Sequence, residues 1–154
     1  MPVTGLRVNN SSANGFTIVE LGAVIMLIAL MVIILSPFVK LVRDQAHKIK
    51  CIHNVQMISI ALREYAIQSD TKLPEELISI YKDGYLYNEK FFDCPVTKEK
   101  GTALNPEYVY VKGADYNSAE NPVLLYDKKT NHPDGTINVL YLNGEIVTKK
   151  SSLK

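Results

Sequence analysis

The chain has 154 residues and a net charge of +1, enough for one domain of ordinary size. That balance gives no electrostatic footprint for nucleic acid or an acidic substrate, so neither is expected as a partner. A mean hydropathy of +0.01 conceals strong segregation, with the apolar residues concentrated near the N-terminus.

Residues 1–15 (MPVTGLRVNNSSANG) are small and polar, with Arg7 as the one charged side chain. From Leu21 to Val39 there are nineteen residues without a charge, and the run extends back to Phe16 if Glu20 is tolerated. At about 1.5 Å of rise per residue, a helix of this length crosses a bilayer core of roughly 30 Å. A secretory signal peptide would have a shorter apolar region and a small-residue cleavage site. Here the run ends in Ser36-Pro37-Phe38-Val39-Lys40, so the segment is expected to stay as a membrane anchor. Pro37 falls near its end, where proline bends a helix more often than it stops one.

Beyond the run, Ile49, Ile52, Val55, Ile58, Leu62 and Tyr65 recur every three or four residues, which predicts an amphipathic helix. One helix is therefore expected from Thr17 to Gln68, about 78 Å long at the standard rise. Its halves divide at residues 16–39 and 40–68. The second half has a face that needs a small domain, expected over 69–154. Ser69-Asp70-Thr71 ends the helix, Pro74-Glu75-Glu76 reads as the first turn of a short one, and Gly84 as its stop. The stretches 107–112, 122–127, 137–142 and 145–149 are rich in β-branched residues and tyrosine. Asn143-Gly144 joins the last two as a hairpin signal. The fold class is thus α+β: a long N-terminal helix, its first half in the membrane, packed on a small antiparallel sheet of three or four strands.

Gly15-Phe16-Thr17-Ile18-Val19-Glu20-Leu21 resembles the processing and assembly signal of type IV pilins and type II secretion pseudopilins. The resemblance implies a leader, residues 1–15, removed after Gly15 by a membrane-embedded prepilin peptidase, and N-methylation of Phe16. Thr17, Glu20 and Pro37, the last two at family positions five and twenty-two of the mature chain, are implied to serve assembly. It further implies a pilin-like fold, an assembly platform in the inner membrane, and self-association into a helical filament, with the C-terminal domain periplasmic or extracellular. "CIHNVQMISIALREY", "GYL", "DCP" and "NHPDGTINVLYLNGE" resemble a pseudopilin-like branch, although Asn143 stands where that branch usually has aspartate and Glu145 where it often has histidine. The expected function is a subunit of a pseudopilin-like filament. A type IV pilus pilin, for adhesion, motility or DNA uptake, is the alternative within the family.

The physical chemistry of Glu20 agrees with this expectation. A carboxylate in mid-membrane costs roughly 2.5–3.5 kcal/mol on insertion scales, so a lone one usually has a partner. Cutting before Phe16 would create a cationic amine four residues upstream, which the glutamate of a neighbouring subunit can pair with. The flanking charges favour a different reading. Lys40, Arg43, Lys48 and Lys50 follow the run and Arg7 precedes it, which by the positive-inside rule puts the C-terminal part in the cytoplasm. That is the orientation of a single-pass membrane protein with a small binding domain that never assembles.

Cys51 and Cys94 are the only cysteines. They read either as a disulfide tying the strand region to the helix, which would stabilise by roughly 2–4 kcal/mol, or as two buried thiols. No CxxC motif is present, and the cysteine and histidine spacing matches no zinc set. His47 and His53 read as exposed helix residues. His132, near Asp127 and Asp134, reads as a locally bonded loop residue or as one corner of a metal site. Asp115, Asn117 and Glu120 in the loop "KGADYNSAEN" are candidate calcium ligands without EF-hand spacing, and no other cofactor is expected. With no nucleophile elbow and no phosphate-binding glycine loop, no enzymatic activity is expected.

Overall fold

The computed structural model describes residues 15–97 and 99–151. The first fourteen residues of the expected leader lie outside them. Helix α1 spans Ile18–Gln68 and runs unbroken through Pro37, whose missing N–H leaves the Ile33 carbonyl without its usual partner. After it come a short helix, α2 (Ser79–Lys82), a 3₁₀ turn at Glu89–Phe92, and four strands: β1 (Tyr108–Tyr110), β2 (Val123–Asp127), β3 (Thr136–Tyr141) and β4 (Ile146–Lys150). The chain divides into two units, one up to Leu41 and one from Val42 onward.

In the first unit every described residue is exposed, including Val24, Leu27, Met31 and Ile34. This stretch of α1 is the one segment among the described residues long and apolar enough to cross a membrane. An apolar helix with no buried face is stable only among lipid tails or other helices.

The second unit holds the core. Its helical part contributes Cys51, Val55, Ile58, Ala61 and Leu62, which pack with Leu77, Ile80, Leu86, Phe92 and, from the sheet, Leu124, Leu125 and Leu140. The buried face differs from the stripe read in the sequence. Ile49 is 68% exposed, because three successive steps of three residues drift by about 180° around a helix of 3.6 residues per turn. Ile49 therefore lies opposite Ile58. The inward line is Cys51, Val55, Ile58, Leu62 and Ala66, with Asn54 and Ala61 beside it.

The sheet is an antiparallel meander in the order β1-β2-β3-β4. An irregularity between Val123 and Leu125 lets consecutive Leu124 and Leu125 both be buried, as a bulge does. The β3–β4 connection is a three-residue loop. Gly144 N–H donates to the Tyr141 carbonyl at 2.9 Å and Tyr141 N–H to Glu145 at 2.9 Å, and Gly144 alone takes the left-handed conformation, at φ 85°. Pro74-Glu75-Glu76 does not open a helix. The Pro74 carbonyl accepts the Tyr110 hydroxyl at 2.8 Å, and the helix starts only at Ser79. At the end of α1, Asp70 and Thr71 adopt φ of 53° and 68°. The Thr71 carbonyl accepts Tyr116 N–H at 3.2 Å, which pins that turn to the loop before β2.

The phase of the buried face is testable by unfolding the detergent-solubilised chain in denaturant. Leu62→Ala is expected to cost about 2–5 kcal/mol, and Ile49→Ala to stay within about 0.5 kcal/mol of the unsubstituted chain.

Candidate functional site

Two regions carry chemistry. The first is the start of α1. Phe16 is 81% exposed. Thr17 Oγ1 accepts Glu20 N–H at 3.2 Å and lies 3.5 Å from Glu20 Oε2, while the Thr17 carbonyl accepts Leu21 N–H at 3.1 Å. Thr-x-x-Glu here has the pattern of a capping box, and the acid in the first turn favours the positive end of the helix dipole. Glu20 therefore has a local role within a single chain as well as the intersubunit role expected of it.

The second region is a buried polar cluster, and the side of α1 that faces it is spaced for the purpose. His47, Cys51 and Asn54, at steps of four and three, lie on one face of α1. Asn54 Nδ2 donates to the Asp93 carbonyl at 2.8 Å and His47 Nδ1 to the Pro95 carbonyl at 2.7 Å. These bonds grip the chain on both sides of Cys94. His47 is thus half-buried, not the free surface residue read from the sequence, while His53 is exposed beside Phe91. Gly101 closes the same turn from behind. Its N–H donates to Asp93 Oδ1 at 2.9 Å, and a Cβ there would lie 2.9 Å from Asp93 Cα and closer still to the Phe92 carbonyl.

The loop between β2 and β3 supplies His132, and the end of β2 supplies Asp127. The ligand atoms of Cys51, Cys94 and His132 lie within 4.8 Å of one another. Cys51, Cys94 and Asp127 have no solvent exposure and His132 has 3%. The cysteines, read as either a bridge or two buried thiols, are brought together as free buried thiols. Asp127 Oδ2 accepts Asn138 N–H at 2.9 Å and Asn138 Nδ2 at 2.8 Å, and Asn138 is itself held by the Thr148 hydroxyl at 2.7 Å. Asp127 Oδ1 accepts from Cys51 Sγ at 3.6 Å, and Tyr108 Oη sits 3.6 Å from the same sulfur. His132 Nε2 is 3.0 Å from Asp127 Oδ2, but that contact lies off the bonding direction, and neither ring nitrogen has a hydrogen-bond partner.

The electrostatics follow from this crowding. The Cys51 thiol is pushed far up by its hydrogen-bonding contact with the Cys94 sulfur, then by burial and by Asp127. Cys94 is pulled down, first by Cys51 and then by His132. Contact with Asp127, then with Cys94, raises His132 to about 9. The direction of these shifts favours negative charge on Cys94 over Cys51 and positive charge on His132. Cys, His and Asp together are also the components of a thiol nucleophile, but two sulfurs without exposure offer no substrate a line of attack.

The other candidates stay apart from this cluster. Asp115 Oδ1 is engaged by Asn117 N–H at 2.9 Å and lies 3.5 Å from the Thr71 hydroxyl. Glu120 N–H bonds the Ser118 hydroxyl. Spacing along the chain concealed the cluster, since its members come from α1, the turn after the 3₁₀ helix, and the β2–β3 region. The sequence signal was a lone acid closing the apolar strand VLLYD and a lone asparagine inside INVLY. No protein-family profile, curated protein or solved structure matches the chain.

Replacing Asn138 by alanine strips one donor from a buried carboxylate and is expected to cost about 1–3 kcal/mol, read as a lower denaturant midpoint. Thr148→Ala, one bond further out, is expected to cost less.

Proposed function

We propose that this chain is a structural subunit of a pilin-like filament, of the pseudopilin kind. In this reading it is held in the inner membrane by the first half of α1, cut after Gly15 by a prepilin peptidase, methylated on Phe16, and assembled through that helix. The observation that carries the reading is the combination at the start of α1: an apolar face exposed on all sides and a single carboxylate, Glu20, one helical turn from the residue that cleavage would make N-terminal. Lipid satisfies the apolar surface before assembly, and neighbouring helices satisfy it afterwards. The new amine at Phe16 of one subunit pairs with Glu20 of the next and sets the register. Before cleavage that nitrogen is an uncharged amide, so the pair cannot form and assembly waits on processing. The domain from Val42 onward then forms the outer surface of the filament.

The capping geometry provides a discriminating test. Glu20→Gln keeps a Thr-x-x-Gln capping box and removes the charge, whereas Glu20→Ala removes both. Filaments sheared from cells and counted by electron microscopy are expected to be lost in both variants, with membrane insertion and cleavage retained. Filaments that survive Glu20→Gln at unsubstituted levels would reduce Glu20 to a helix cap and remove the intersubunit pair.

The basic flank Lys40, Arg43, Lys48 and Lys50 favours a second reading, a non-assembling single-pass protein with its domain in the cytoplasm. Lys48 has a local partner, Asp134 Oδ2 at 2.5 Å, which gives part of that charge a structural use. The peptide mass of the N-terminus from native membranes separates the readings. The filament reading expects a chain starting at N-methyl-Phe16, and the second expects an uncut N-terminus.

A further inference from the structure

The second unit buries two thiols, an imidazole and a carboxylate together in a core that apolar side chains would fill at lower cost. A buried polar group without a partner is costly, and here both nitrogens of His132 lack a directed bond. Hydrogen bonding among the four side chains leaves that deficit in place. A cation bound at Nε2 would remove it for that nitrogen.

We propose that Cys51, Cys94, His132 and Asp127 form a closed structural site for a zinc-class divalent cation. Tetrahedral zinc, with bonds of about 2.3 Å to sulfur and about 2.0–2.2 Å to nitrogen or oxygen, sets its ligand atoms roughly 3.3–3.8 Å apart. The three atoms of Cys51, Cys94 and His132 already lie within 4.8 Å of one another, so they close onto an ion by movements of about 1 Å, while Asp127, which touches Cys51 and His132 but stands outside that group, swings further to join as the fourth ligand. The separation of Cys51 Sγ from Asp127 Oδ1, 3.6 Å, is that of a sulfur and an oxygen on one tetrahedral ion. The 3.0 Å contact of His132 Nε2 with Asp127 Oδ2, off the hydrogen-bonding direction, suits two groups converging on a common centre.

The surroundings are those of a metal site as well. Asn138 holds Asp127 through two bonds at 2.9 and 2.8 Å. Tyr108 Oη donates to the Asp93 carbonyl at 3.3 Å and lies 3.6 Å from Cys51 Sγ, so its one proton can turn to a thiolate there. Such outer partners fix ligand orientation. A cavity of about 250 Å³ lined by Arg43, His47, Pro95, His132 and Asp134 gives an ion a way to the imidazole edge of the cluster. Binding sends to solvent the protons that the ligand atoms carry, leaving two thiolates, an imidazole lone pair and a carboxylate around the cation. With no exposed sulfur, and with Asp127 beside the fourth position, the ion is structural. It staples α1 to the Cys94 turn and to the β2–β3 region.

The test uses the full chain in detergent, reduced, chelated and freed of both reagents, then titrated with Co²⁺ as a spectroscopic stand-in. One Co²⁺ per chain is expected, with tetrahedral visible bands and a thiolate-to-cobalt charge-transfer band, both lost on adding Zn²⁺. Cys94→Ala and His132→Ala are expected to weaken binding at least about tenfold, and Tyr108→Phe about tenfold. A folding failure in a variant does not decide the matter, because metal analysis of the unsubstituted chain from native membranes is independent of it. That analysis is expected to find about one zinc per chain and an intact mass with both thiols free. A chain two hydrogens lighter, with Cys51 joined to Cys94, overturns the proposal. So does Co²⁺ binding without the charge-transfer band, or binding that persists in folded Cys94→Ala.

Discussion

One helix must satisfy two environments, and the rest of the molecule follows from that requirement. Over its first half α1 offers apolar side chains in every direction, which only lipid or other helices can cover. Past Val42 the same helix narrows to a single inward line of small and medium residues, Cys51, Val55, Ile58, Ala61, Leu62 and Ala66, and the domain is built onto that line. Cysteine at position 51 lets the Cys94 turn come close to the helix. Full burial of Val55, Ile58 and Leu62 contributes about 1.5–3 kcal/mol each, so the domain is anchored to the helix by a few residues in register.

The close approach brings a cost, because the turns carry carbonyls that must be satisfied where they meet the helix. His47 and Asn54 supply donors to Pro95 and Asp93, which makes this face of α1 part polar and part apolar. The buried cluster is continuous with that arrangement. It is where the helix, the Cys94 turn and the centre of the sheet meet, and where an apolar core would otherwise have been simplest.

Much of the architecture was legible from pattern alone. The bounds of α1 came from a long stretch without a helix-breaking glycine, and the four strands from β-branched runs between turn residues, because both signals are local. The phase of the buried face was not legible. Equal steps of three residues mimic a stripe over one turn and drift off it over three, and only the packing partner selects Cys51 over Ile49. The role of Pro74 was misread for a related reason: its carbonyl is claimed by Tyr110, thirty-six residues away. Cys51, Cys94, Asp127 and His132 were each visible as residues, but nothing in their spacing announced a meeting that depends on tertiary structure.

The meander order of the sheet also sets the sequence of events in folding. Each strand pairs with its neighbour in the chain, so the hairpin from β3 to β4 closes over a few residues, a process of about 1–10 μs. Docking the helix is a different step, since the contact of Cys51 with Asp127 spans 76 residues and bears a far larger loop-closure entropy. By loop-closure entropy alone the sheet is the local, inexpensive element and the helix face the costly one. The sheet's apolar face stays open until α1 arrives, so the interval before docking is when the chain is most exposed to association with other chains.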